Sequence, residues 1–215
     1  MTFTWWQRWG TGFGVLTVVL WVIAFAFASN TPSTDDSNAK ITSWYASHSH
    51  QVGQIVGFFV FLAGVLLFLA FLGALRGRLV AAEGGSAWLT ALAYGAGVAS
   101  AVLWVVAIAF FTAPAFMVND TRPGNLDPNT FRMISDLGYE IWVAAIGIGA
   151  ILVWATSALA LRTRLLPRWF GWLGVLVGVL LLFGIFFIPA FIYWGWILVC
   201  SAFLTWRPAA AVTTA

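Results

Sequence analysis

Charged residues are scarce in this chain. They make up 8% of its 215 residues, whereas hydrophobic residues make up 62%. A soluble domain carries about 25% charged residues, so the chain lacks the polar surface that a water-soluble fold needs. The composition therefore predicts an integral membrane protein whose first partner is the lipid bilayer.

Several residue types that carry chemistry are nearly missing as well. The single cysteine, Cys200, lies in an apolar run, so no intramolecular disulfide can form. The single lysine, Lys40, and the only histidines, His48 and His50, lie outside the long apolar runs. This placement excludes a retinal-binding lysine and a bis-histidine haem within a bilayer. No phosphate loop, H-E-x-x-H or G-x-S-x-G motif occurs, and we predict no enzymatic activity, no catalytic residue and no cofactor.

Apolar runs long enough to cross a membrane, which takes about 20 residues, follow one another along the chain. The last run, residues 171–204, would be about 51 Å long at 1.5 Å per residue. It must therefore fold back, and we place the break at Pro189, at the outer interface, because proline interrupts helices. The alternative is a break at Pro189 deep within the membrane. The result is an all-α fold, a six-span transmembrane helical bundle in a single domain, residues 1–215. The predicted spans are about 12–28, 52–75, 88–111, 139–161, 171–188 and 190–206.

The first span has an alternative. A cleaved signal peptide with an A-x-A site at residues 26–28 also fits the pattern. We favour a retained helix, because the apolar run is long for a signal peptide.

The distribution of basic residues orients the bundle, since Lys and Arg concentrate on the cytoplasmic side. With six spans, seven of the ten basic residues and one acid fall on one side, which gives +6. Three basic residues and six acids fall on the other, which gives −3. We predict a multi-pass protein of the cell (plasma) membrane with both termini cytoplasmic, and no nucleic-acid partner. Trp142, Trp194 and Trp196 then fall near the outer interface, where aromatic belts form.

Two segments on the predicted outer side, residues 29–51 and 113–138, are each expected to form a short amphipathic helix. Asp35 or Asp36 caps the first, and Asp127 with Pro128 begins the second. The apolar face of the first helix holds Ile41, Trp44, Tyr45, His48 and Val52. The apolar face of the second holds Phe131, Ile134 and Leu137.

The two histidines raise the question of a metal or proton site. In a helix, residues two apart point about 200° apart, so His48 and His50 cannot bind one metal ion there. In an extended segment they could, with Asp136 or Glu140 as further ligands. The favoured hypothesis is no metal, with both rings at the membrane interface. A response to pH remains a third hypothesis for this face.

Three further polar residues are candidates for an outer vestibule that binds a ligand together with His48 and His50. Asp136 and Glu140 share a helix face, where two acids could handle a cation or a proton. Alternatively they face water, with Arg132 paired to Asp136 one turn away. Gln54 lies one turn inside span two and could either complete the vestibule or hydrogen-bond between helices.

Small residues four apart predict helix-packing surfaces, because they let helices approach closely. Ala91, Gly95 and Ala99 form one such row in span three, and Gly174 and Gly178 form another in span five. They serve contacts within the bundle, which we favour, or contacts between copies of the chain.

The chain combines three short patterns: an acidic D-D-x-x-A-x-I-x-x-W-Y segment (35–45), an R-G-R turn (76–78) and an L-P-R-W-x-G-W-L-G run (166–174). With them the chain resembles small polytopic integral membrane proteins of the domain-of-unknown-function type from high-GC Gram-positive bacteria. Such families carry no assigned activity, so the resemblance implies a membrane location and no reaction.

Besides a metal- or pH-responsive outer surface, two functions remain open. The leading hypothesis is a membrane protein that binds an apolar or amphipathic small molecule or a lipid, and moves it as a transporter would. The alternative is an accessory or structural subunit that packs against a membrane partner or a second copy of itself.

Overall fold

The computed structural model describes residues 10–121, 126–163 and 165–206, and within them the fold is all-α. These ranges contain seven α-helices and one 3₁₀ turn, Gly184–Phe186. The helices are α1 (Phe13–Ala28), α2 (Asn38–Tyr45), α3 (His48–Glu83), α4 (Trp88–Thr121), α5 (Pro128–Thr163), α6 (Arg168–Leu181) and α7 (Ile188–Trp206).

Four of these helices, α3, α4, α5 and α7, are long and apolar enough to cross a membrane. This agrees with the prediction of a membrane protein. Helices α1 and α6 are apolar but shorter, at 16 and 14 residues. At 1.5 Å per residue the 36-residue helix α3 is about 54 Å long, so it extends well beyond a hydrocarbon core of about 30 Å.

The six longer helices form a closed bundle. In chain order α1, α3, α4, α5, α6 and α7 each contact the next, and α7 returns to contact α1. Polar groups join the closing pair, since Ser201 on α7 accepts from the backbone N–H of Val15 at 3.1 Å. The hydroxyls of Thr11 and Thr205 lie 3.1 Å apart beside it.

Tryptophans from four helices meet in the core. Trp21 contacts Trp104 edge-on with ring centroids 4.5 Å apart, and Trp104 lies 5.8 Å from Trp142. Trp194 completes the cluster at 5.6 Å from Trp21. The placement of Trp142, Trp194 and Trp196 in an interfacial belt is therefore wrong, because all three are buried. Their rings contact aromatic neighbours on other helices instead: Trp142 contacts Trp104, Trp194 contacts Trp21, and Trp196 contacts Phe170.

The turn between the last two helices differs from the prediction. Helix α6 ends at Leu181, and the chain turns through residues 182–187. Phe187 adopts a positive φ of 63° there. Pro189 does not break the helix but lies in the first turn of α7, where the missing N–H of proline is not needed. The fold-back itself occurs, but it precedes the proline.

Helix α2 is the separate short helix predicted for the first polar segment. Its N-cap is Ser37, whose hydroxyl accepts from the backbone N–H of Lys40, rather than Asp35 or Asp36. It ends at Tyr45, and His48 begins α3. His48 therefore does not belong to the apolar face of α2. An apolar cluster fixes α2 against α4 and α5: Ile41, Tyr45, Ala115, Val118, Leu126 and Phe131.

The second polar segment does not form a separate helix. Asp127 does begin a helix, since its carboxylate accepts from the backbone N–H groups of Asn129 and Thr130 at 3.3 and 3.0 Å. That helix is α5 itself, which continues unbroken to Thr163. Phe131 is buried as predicted, whereas Leu137 is 41% exposed and does not point inward.

The two predicted rows of small residues lie in different surroundings. Gly174 and Gly178 face α5, where an added Cβ would collide with Ser157 and with the Trp154 ring. A Cβ at Gly95 would have no atom within 4 Å, and Ala99 is half-buried. Within the described chain, then, the interhelix contact favoured for this row is not made at Gly95.

Candidate functional site

A cavity of about 510 Å³ lies near one end of the bundle, between α1, α3, α4, α5 and α7. We call this end the α2 end, because α2 and the loop before it lie there. The lining follows helical periodicity: positions 21, 24, 25 and 28 on α1, and 131, 135, 139 and 142 on α5. Ten aromatic rings other than Tyr139 line it: Trp21, Phe25, Phe27, Phe58, Phe61, Phe111, Phe131, Trp142, Phe187 and Trp194.

The loop between α1 and α2 supplies part of the cavity wall through Thr31, Pro32 and Thr34. Gln54 on α3 attaches this loop to the bundle by donating to the Thr31 hydroxyl at 2.9 Å. Its side-chain oxygen accepts from the Tyr45 hydroxyl at 3.4 Å. Burial raises the pKa of Tyr45 above its usual value, so Tyr45 remains a neutral donor. Gln54 thus lines the cavity and also joins the loop, α2 and α3.

Arg132 attaches the same loop to α5. Its Nε donates to the carbonyl of Thr34 and its Nη2 to the carbonyl of Asp36, both at 2.8 Å. The planar guanidinium suits this two-pronged contact. The alternative in which Arg132 pairs with Asp136 is therefore wrong, because the guanidinium donates to the two loop carbonyls and to Oδ1 of Asn129.

Asp36 stabilises the loop from within. Its carboxylate accepts from Lys40 Nζ and from the backbone N–H of Ser33, each at 2.9 Å. The hydrogen bond from Lys40, followed by that from Ser33, lowers the pKa of Asp36. Asp36 is thus ionised at neutral pH and already has a cation beside it.

Asp136 lies at the mouth of the cavity and is exposed, so the cavity reaches the protein surface there. It is the one carboxylate among the lining residues that the structure describes. The only ion pair within residues 10–121, 126–163 and 165–206 joins Lys40 and Asp36. Asp136 therefore has no cationic partner in that part of the chain. Glu140, one turn along α5, is exposed and does not line the cavity.

The histidines lie outside the cavity. The His50 ring stacks on Trp44 with centroids 4.5 Å apart, and its Nδ1 lies 3.0 Å from the Trp44 carbonyl oxygen. His48 is exposed at the start of α3. Among the described residues no three His, Cys, Asp or Glu side chains come together as a metal site. Of the five predicted vestibule residues, the cavity brings together Gln54 and Asp136 and leaves out His48, His50 and Glu140.

Sequence reasoning missed the aromatic wall. Trp21, Trp142 and Trp194 line the cavity, and their buried indole N–H groups have no acceptor in the described part of the chain. The signal was present as aromatic content, 17% of the chain. Which rings face one another depends on helices far apart in sequence, and periodicity within one span does not reveal that.

Comparison with known proteins identifies a matching family. The family model described as "Domain of unknown function (DUF4386)" matches residues 9–214. No curated protein matches the chain, and no solved structure matches it.

Proposed function

The chain belongs to the DUF4386 family, and because that description names no activity, we propose from the cavity that the protein binds an apolar or amphipathic small molecule or lipid. The observation that carries the proposal is one aromatic-lined cavity of about 510 Å³ with few polar groups. Ligand pockets have volumes of about 300–1,000 Å³, mostly apolar walls and a few placed polar groups. Thr31, Gln54 and Asp136 supply such groups at one side of the wall.

The proposal is a binding role rather than an enzymatic one. The lining residues that the structure describes include no His, Cys or Lys that could serve as base or nucleophile. Movement of the ligand between the cavity and the bilayer is part of the same proposal. If the protein is a transporter, liposomes that contain the protein and are loaded with the bound molecule should release that molecule faster than protein-free liposomes do.

Two alanines on α1 provide a matched test of binding. Ala28 lines the cavity, whereas Ala26, two residues earlier, is exposed and does not line it. Native mass spectrometry after purification in a mild detergent should show a small molecule bound to the wild-type protein. Ala28→Phe should remove that molecule by filling the space, and Ala26→Phe should retain it. Equal occupancy in the two variants would contradict binding in this cavity.

We also propose that the protein has six spans in the plasma membrane, with both termini cytoplasmic. Supporting this, α1 and α6 both present apolar side chains outward, as lipid-facing helices do: Leu16, Val19 and Val22 on α1, and Trp172, Leu173 and Leu176 on α6. The bias of basic residues supports the orientation.

A cysteine-accessibility experiment tests this arrangement. Cys200 is buried, so Cys200→Ala provides a background without thiols. Asp35→Cys and Ser86→Cys then place one thiol at an exposed position at each end of the bundle. An impermeant thiol reagent added to intact cells should label position 35 and spare position 86. The reverse pattern, or labelling of both, would contradict the orientation.

A second candidate function rests on the outward row of small residues on α4. Ala91 and Gly95 are exposed and Ala99 is half-buried, and a Cβ at Gly95 would meet no atom within 4 Å. A helix of a partner, or of a second copy, could approach closely there, as an accessory subunit requires. Gly95→Leu should then dissociate the complex seen by native mass spectrometry, and an unchanged complex would exclude this face.

A further inference from the structure

We propose that the ligand of the cavity is a hydrophobic organic cation, whose charged group pairs with Asp136 while its apolar body lies among the aromatic rings. This inference rests on the binding role proposed above and specifies the class of ligand.

The Asp136 carboxylate has no cationic partner among the residues that the structure describes. Asp136 is the charged group of the lining, and the two described cations at the α2 end are engaged elsewhere: Arg132 with the Thr34 and Asp36 carbonyls, and Lys40 with Asp36. A charge beside a low-dielectric cavity interacts more strongly than the same charge in water. A neutral ligand would gain no such interaction from the exposed Asp136 carboxylate. A cation supplies the missing partner.

The aromatic wall that Asp136 adjoins along α5 also favours a cation. Tyr139 and Trp142 follow it at positions i+3 and i+6 of α5, and both line the cavity. Trp21 and Phe61 lie on the facing helices α1 and α3, with rings stacked 5.4 Å apart. Aromatic faces carry negative potential and attract organic cations by about 0.5–2 kcal/mol per contact. The wall thus favours a positive charge as well as an apolar body.

The described part of the α2 end carries an excess of negative charge. The described residues at this end include two bases, Lys40 and Arg132, against six acids: Asp35, Asp36, Asp120, Asp127, Asp136 and Glu140. An excess of negative charge around a cavity mouth raises the local concentration of cations and repels anions. An anionic ligand, such as a fatty acid or a phospholipid headgroup without a cation, is therefore disfavoured at this mouth.

Two ions of nearly the same shape and opposite charge test the inference: tetraphenylphosphonium and tetraphenylborate. Binding of each to the full chain in nanodiscs of zwitterionic lipid is measured by equilibrium dialysis, with protein-free nanodiscs subtracted. Tetraphenylphosphonium should bind saturably, and Asp136→Asn should weaken that binding at least about tenfold, as expected when one close charge pair is lost. Glu140→Gln makes the same change of charge one turn away, outside the lining, and should change binding less than about twofold. Tetraphenylborate should not bind saturably.

The outcomes separate this inference from the proposed function. If Asp136→Asn binds tetraphenylphosphonium as tightly as wild type, or if tetraphenylborate binds equally well, the cation inference is overturned. Loss of the co-purified molecule in Ala28→Phe but not in Ala26→Phe would still support binding in the cavity. If Ala28→Phe changes neither tetraphenylphosphonium binding nor the co-purified molecule, the proposed function fails as well. Size-exclusion profiles and melting curves of each variant distinguish loss of binding from loss of fold.

Discussion

The contact of Arg132 with the loop before α2 gives a quantitative prediction. Arg132→Ala removes two hydrogen bonds of 2.8 Å from a charged donor to the carbonyls of Thr34 and Asp36. A hydrogen bond to a charged group contributes about 1.5–3 kcal/mol. Both contacts are only partly buried, and water replaces part of what is lost, so we expect a total of about 2 kcal/mol. At 1.4 kcal/mol per factor of ten, the loop should open about 30 times more often.

Hydrogen–deuterium exchange measures this opening directly, because amide exchange follows the population of the open state when closing is fast. The amides that should exchange faster are those bonded within the loop: Thr31 to the Ala28 carbonyl, Ser33 to the Asp36 carboxylate, and Asp36 to the Ser33 carbonyl. Amides in the middle of α3 should be unchanged.

Two further variants sharpen the experiment. Arg132→Lys keeps the charge but loses the planar fork, so it should lie between wild type and Arg132→Ala. Arg168→Ala removes an exposed arginine at the start of α6 and should leave loop exchange unchanged. If Arg132→Ala leaves the loop amides as slow as in wild type, the loop is held by Gln54 and its internal bonds alone, and the reasoning is refuted.

Two other predictions concern packing and helix capping. Gly178→Ala should lower the free energy of unfolding by about 1–3 kcal/mol, because the added Cβ would lie 2.6 Å from Cε2 of Trp154. Gly95→Ala places its Cβ where no atom lies within 4 Å, so it should not lower stability in the same melting experiment. Hydrogen bonds from Thr130 and then Asn129 lower the pKa of Asp127. Asp127 therefore caps α5 at pH values above 3.8, the ordinary pKa of an aspartate. As the pH falls through the lower pKa that Asp127 has in the folded protein, the cap is lost and amide exchange in the first turn of α5 should rise.

Each of these has a contradicting outcome. Equal melting temperatures for Gly178→Ala and Gly95→Ala would mean that α6 and α5 do not approach as closely as the structure shows. Asp127→Asn keeps a good N-cap without a titrating group, so it should abolish the pH dependence at the start of α5. A variant that retains the wild-type pH profile would assign that profile to another group.

Local sequence patterns predicted most of the helices but not the residues at which they end. Long apolar runs predict the helices, and Asp127 followed by Pro128 predicts where α5 begins, because capping depends on neighbours within one turn. Whether that helix continues past Gly138 depends on the α4 side chains against which it packs, Phe110 and Phe111. The position of the turn before Pro189 has the same origin, since proline is compatible both with ending a helix and with beginning one.

Of the five polar candidates read from the sequence, two line the cavity and three, His48, His50 and Glu140, do not. Gln54 and Asp136 stand out because polar residues next to apolar spans are rare. Tryptophan is ambiguous, since its ring suits both an interface and a core. Trp21 and Trp194 are 173 positions apart in the chain, yet their rings lie 5.6 Å apart. No pattern within one span indicates such a contact.

The closing contact between α1 and α7 has a consequence for the order in which the protein is made. Trp194 on α7 and Phe187 just before it form part of the cavity wall, and both come from the last thirty residues of the chain. Until α7 packs against α1, that side of the wall is missing, and Trp21 and Trp142 lack the ring contacts that Trp194 makes with them. The cavity proposed as the binding site is thus completed by the last of the described helices.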